Sequence, residues 1–108
     1  SAFAQGFEGG GGVASVQING PFSTVFGTTA SYTVSYRDGN GNPVTPPPGS
    51  AAWSVSGGAL GSNDASGCQV YWNAIGSGSI SFTYSTFDGS YFDTRTVTVA
   101  VPPANTPS

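Results

Sequence analysis

The chain of 108 residues contains no His, Lys or Met, a single Cys, and two Arg against five acids. Without His or a second Cys there is no Ser–His triad, no common zinc ligand set and no CxxC pair. Without Lys there is no Schiff base. Intramolecular Lys–Asn cross-links, which harden some surface adhesin domains, are closed off as well. One Cys makes no internal disulfide, so cysteine pairing says nothing of the redox compartment. An isoelectric point near 4.1 with two cations argues against nucleic acid, because a phosphate backbone needs a basic stripe to displace its counterions. No apolar run approaches the ~20 residues of a membrane span, and no cationic amphipathic face suits a membrane surface. Charged residues are 6% of the chain, against roughly a quarter in ordinary domains.

What is present is small, polar and aromatic. Ser and Thr make up 27 residues, Gly 17 and Pro 8. Ile, Leu, Val and Phe sum to 21, just under the ~20% level at which disorder becomes an option. Disorder also wants high net charge and few aromatics. Here the net charge is −3 and 14 residues are aromatic. The composition implies one folded domain with a small, aromatic-rich core.

Period-2 alternation dominates the middle of the chain. Ala14, Val16 and Ile18 alternate with Ser15, Gln17 and Asn19. Ala30, Tyr32, Val34 and Tyr36 alternate with Ser31, Thr33 and Ser35. The same pattern returns at Trp53–Val55, Cys68–Val70–Trp72, Ile80–Phe82–Tyr84 and Val97–Val99–Val101. At least six strands are predicted, each with one apolar face and one Ser/Thr face. Such strands pack on one side and meet water on the other. Two sheets face to face bury all six apolar rows at once. The fold class read here is all-β, an antiparallel β-sandwich of about seven strands.

Turn residues separate the runs. Asp88-Gly89 reads as a two-residue hairpin turn. Asp38-Gly39-Asn40-Gly41-Asn42-Pro43 is dense in residues that tolerate positive φ, and Pro46-Pro47-Pro48-Gly49 extends that connection. Gly57-Gly58 and Gly76-Ser77-Gly78 mark two more. Residues 1–12, with the run Gly9 to Gly12, read as a flexible N-terminal segment or linker. Residues 13–101 form the sandwich, and residues 102–108 form a Pro-rich linker. Ala2-Phe3-Ala4 has the small-x-small form found left of a signal-peptidase cut, which leans toward secretion. Linkers at both ends are expected of a module within a longer multidomain chain.

Gly20-Pro21 followed by Val25-Phe26-Gly27-Thr28-Thr29-Ala30-Ser31-Tyr32-Thr33-Val34 resembles the opening of bacterial PKD-like and Ig-like repeats. Such repeats begin with a Gly-Pro, a short kinked strand, a Gly and a Tyr-containing strand. Trp53-Ser54-Val55-Ser56-Gly57-Gly58 resembles the Trp strand that follows. Cys68 to Trp72, Gly78 to Thr83 and Thr96 to Val101 are similar to the later strands. Asp38 to Val44 also looks like the turn of the related Big-type repeats. Cys68 stands where these repeats usually carry an aliphatic residue, which suggests a buried thiol. The resemblance implies a non-catalytic accessory module of a secreted or cell-surface bacterial protein, spacing domains, joining adhesin stalks or assisting polysaccharide-active enzymes. Its partners would be neighbouring domains of the same chain and polysaccharide or surface glycan.

Candidate chemistry is thin. Asp38, Asn40 and Asn42 have the alternate-residue oxygen spacing of a calcium loop's first ligands. Pro43 stands where Gly is expected, and no Glu occupies the twelfth position. Asp64 or Asp88 would have to add charge for calcium, the one cofactor considered; the plainer reading is a tight turn. A hydrolase needs two carboxylates about 5 to 9.5 Å apart, but Glu8 lies in the linker and most of the other acids lie in turns. Cys68 runs in phase with Val70 and Trp72 and reads as core. Tyr71 points the other way, beside Gln69 and Asn73. With Phe92 as helper these form a candidate sugar-stacking set, against the plain reading of scattered surface apolars. Asp93 and Arg95 share a face of the last strand and suit a surface ion pair worth at most about 1 kcal/mol.

Overall fold

The computed structural model describes residues 13–87 and 89–102. The Gly-rich segment 1–12, positions 103–108 and Asp88 lie outside the described residues. The described chain holds eight strands: β1 (Ser15–Asn19), β2 (Ser23–Val25), β3 (Thr28–Arg37), β4 (Ser50–Ser56), β5 (Gly58–Asn63), β6 (Gly67–Trp72), β7 (Gly76–Thr86) and β8 (Gly89–Ala100). One sheet has the order β1-β3-β6-β5 and the other β2-β8-β7-β4. All neighbours are antiparallel except β2 and β8, which run parallel. A sheet in the order β1-β3-β6-β5 facing one in which the last two long strands, β7 and β8, are central is the immunoglobulin arrangement, here with the opening strand split between the sheets. The six alternating runs are β1, β3, β4, β6, β7 and β8. The added pair, β2 and β5, are a three-residue strand and a Gly-rich strand with little alternation.

Both sheets turn their apolar rows inward. Ile18, Val70, Trp72, Ile80, Phe82 and Val97 are wholly buried, and no polar or charged residue among the described ones is fully buried with them. Each such side chain contributes about 1.5–3 kcal/mol by leaving water, more than one net hydrogen bond at about 1 kcal/mol. The core therefore decides the register. Cys68, as expected, sits in this layer at 6% exposure.

Aromatic side chains hold the sheets together where no disulfide does. At one pole the Trp72 indole N–H donates to the Tyr32 hydroxyl (3.1 Å), which donates in turn to the Pro21 carbonyl (2.6 Å). The rings of Tyr32 and Trp72 meet edge to face. At the other pole the Tyr36 hydroxyl donates to the Ala65 carbonyl, the Tyr84 hydroxyl to Pro47, and the Trp53 indole N–H to Asp64 (2.8 Å). Trp53 also lies 4.6 Å from the Phe82 ring. A buried Tyr or Trp needs a partner for its polar tip, and here four of these tips fasten loops to the core. Gly78 makes room for this packing: a Cβ there would come within 2.8 Å of the Trp72 ring.

The β7–β8 turn differs from the expected Asp88-Gly89 step. The ladder runs unbroken to Thr86 opposite Gly89, so Gly89 already belongs to β8 and is not a turn residue. That register sets Phe82 and Tyr84 opposite Asp93 and Tyr91 on the inward side. The core row, not the local preference of the dipeptide, places the turn.

Candidate functional site

A shallow concave surface lies on the outer face of the β1-β3-β6-β5 sheet. It is an open groove of about 360 Å³, lined chiefly by Ser31 and Thr33 of β3, Asn63, Asp64 and Ser66 around the β5–β6 turn, and Gln69 of β6. Alternation puts it there: Ser31 stands directly across from Gln69, and Thr29 from Tyr71, while Cys68, Val70 and Trp72 point into the core. Tyr71 is 45% exposed and follows Gln69 on the same face, with Ala59 on its other side. The groove thus has hydroxyl, amide and carboxylate groups beside one aromatic ring.

The Asp64 carboxylate is engaged by its own turn. Its Oδ1 accepts from the Ser66 hydroxyl (2.7 Å), the Ser66 amide (2.8 Å) and the Gly67 amide (3.1 Å). These donors, the Ser66 hydroxyl first, hold its pKa below the ordinary aspartate value. The groove therefore keeps a fixed negative charge down through mildly acidic pH.

Of the sugar-stacking set, the structure brings Tyr71 and Gln69 together. Asn73 follows one residue past the end of β6, exposed and outside the groove lining. Phe92 does not join them. It is 74% exposed on the outer face of the other sheet, opposite Thr83. The two aromatics sit on opposite sides of the sandwich because the phase of each strand is set by a different inward row. Ser31, Thr33, Asn63 and Ser66 were not singled out in the sequence. They come from three segments, and their hydroxyl and amide groups look like ordinary strand and turn residues until the sheet assembles.

Asp38, Asn40 and Asn42 do come together, as a closed turn. Asp38 Oδ1 accepts from the amides of Asn40 (2.8 Å) and Asn42 (3.0 Å). The Asp38 amide donates to the Asn42 carbonyl, and the Gly41 amide to the Asp38 carbonyl. Arg37 reaches over the same turn to the Gly41 carbonyl (3.2 Å). Backbone donors thus engage one of the two Asp38 carboxylate oxygens.

Asp93 and Arg95 form their ion pair at 2.9 Å, but it is less superficial than expected, with side chains 20% and 39% exposed. The same Asp93 oxygen accepts the Ile18 amide of β1 at 2.9 Å, and the Arg95 guanidinium lies 5.7 Å from the Phe22 ring centre. The pair is a tie between the two sheets.

No family model matches this chain, and no curated protein matches it. Among solved structures, it is similar to a chain of the titin M10–obscurin-like 1 Ig mutant complex. The identity is 16%, the coverage 85% of this chain and 99% of that one, and the TM-score 0.48.

Proposed function

We propose that the chain is a non-catalytic spacer or contact module of a secreted or cell-surface bacterial protein, of the PKD-like or Big-type immunoglobulin kind that its sequence resembles. The observation that carries this reading is the placing of the strand ends. β1 enters the sandwich at the Arg37 end of β3, where Ser15 pairs with Arg37. β8 leaves it at the Thr28 end, where the Phe26 amide donates to the Ala100 carbonyl. Ten residues of β3 separate these poles by about 30 Å, so whatever adjoins the domain on either side is held that far apart. The charged side chains of the described residues support the same reading, since Arg37, Asp38, Asp64, Asp93 and Arg95 all bond within the domain's own fold.

The second reading is recognition of a neutral glycan, favoured by Tyr71 and Gln69 beside the hydroxyl- and amide-lined groove. The deciding experiment is retention of the purified domain on insoluble polysaccharides and a glycan array, with and without calcium, beside Tyr71→Ala. The spacer reading expects no retention in any condition. Retention that Tyr71→Ala abolishes would replace it with the glycan reading.

A further inference from the structure

We propose that the outer edge of β4 is a strand-pairing seam through which two copies of this chain associate. An edge strand presents a row of backbone donors and acceptors, and natural sheets blunt it. Three of the four edges here are blunted. Asp93 takes the Ile18 amide of β1. β2 is only three residues long, and the Thr28 hydroxyl takes its last carbonyl, that of Val25, at 2.6 Å. β5 shifts register between Leu60 and Asn63, and the Asn63 side chain occupies the Gly61 carbonyl at 2.9 Å.

β4 has none of these devices. Its seven residues stay in one unbroken register with β7 and include no Pro or charged residue. Among the described residues no strand lies on its other side. The chemistry of that edge fits an extended strand, and its side chains fit a second β4. The outward row Ser50, Ala52, Ser54 and Ser56 is small and exposed, while Ala51 and Val55 of the inward row are partly buried against the core. Two-fold symmetry makes a self-pairing antiparallel. Hydroxyls then lie beside hydroxyls and the apolar row beside its copy. Two chains of net charge −3 meet there without apposing acids on β4. The small outward row also leaves nothing overhanging the backbone. Seven residues a side fall short of the roughly 1,200–2,000 Å² buried in a stable specific interface, so the association is weak and matters where copies are crowded.

Sedimentation equilibrium from micromolar to millimolar chain should show reversible dimerisation. With pairing centred on Trp53, Ala52 of one copy faces Ser54 of the other. Ala52→Lys combined with Ser54→Lys sets like charges directly opposite and should weaken the dimer roughly tenfold. Both positions are exposed, so the melting temperature of that variant serves as the folding control. Mixing it with the matching Ala52→Glu, Ser54→Glu variant should restore association. A chain that stays monomeric to millimolar concentration overturns the proposal. So does a folded double-Lys variant that dimerises as tightly as the parent.

Discussion

The Cys68 thiol lies on the inward row of β6, and burial pushes its pKa from 9.0 up to about 11. Tyr36 is pushed from 10.0 up to about 12, by burial first and then by the neighbouring Tyr84 and Asp64. Both groups are neutral when protonated, so the folded chain holds these protons more tightly than the unfolded one. The stability this represents is complete below the unfolded values near pH 9 and 10, and it is lost as pH rises through about 11 and 12. Melting temperature should therefore hold level to about pH 9 and then fall, and Cys68→Ala should remove the earlier part of the fall. The native thiol should also stay inert to a thiol reagent at neutral pH and react once urea unfolds the chain. A flat melting profile to pH 12, or rapid labelling of the native thiol, would contradict this account. The burial behind it was legible in the sequence, because Cys68 shares its phase with Val70 and Trp72. The donors around Asp64 were less so, since an Asp two residues before a Ser is too common to single out.

At the scale of elements, the alternating strands were readable and the cross-sheet ties were not. β3, β6 and β7 each announce an inward row two residues apart. β5 announces none: its sequence, Gly58-Ala59-Leu60-Gly61-Ser62-Asn63, has a single large apolar residue and takes its conformation from pairing with β6. Asp93 and Arg95 could be placed on one strand face, but the Ile18 amide is 75 positions away. Only the packing of β8 against β1 shows that the carboxylate closes an edge. Asp93→Ala leaves that amide unpartnered in a part-buried site and removes the acid from Arg95. The expected cost is about 1–3 kcal/mol, less than the loss of a core aromatic at about 3–5 kcal/mol. Amide exchange should accelerate at Ile18 and its β1 neighbours while β6 and β7 keep their protection. If Ile18 exchanges as slowly in Asp93→Ala as in the parent, the tie does not hold the edge.

For the molecule as a whole, the parallel pairing of β2 with β8 gives the domain a mechanical character. Ser23, Thr24 and Val25 run alongside Thr98, Val99 and Ala100 in the same direction. Flanking bonds join the Phe26 amide to the Ala100 carbonyl at 2.9 Å and the Thr98 amide to the Phe22 carbonyl at 3.0 Å. A pull applied through β1 and β8 draws β2 back toward one pole and β8 out toward the other. The two strands slide against each other along their length, so their hydrogen bonds are loaded together and not one after another. The β7–β8 hairpin, which has the longest ladder in the fold, lies behind this contact and is protected by it. Phe26→Pro removes one of the shared donors at a position that is itself 38% exposed. The equilibrium cost is about 1 kcal/mol. Resistance to force follows the unfolding rate and not the equilibrium, so the loss should be larger in a pulling experiment than in a melt. Single-molecule stretching of the domain between two handles should show a clearly lower unfolding force for Phe26→Pro, beside a melting temperature only a few degrees lower. Equal forces for the two proteins would mean that the load is carried elsewhere, and the β1–β3 pairing would become the contact to weaken next.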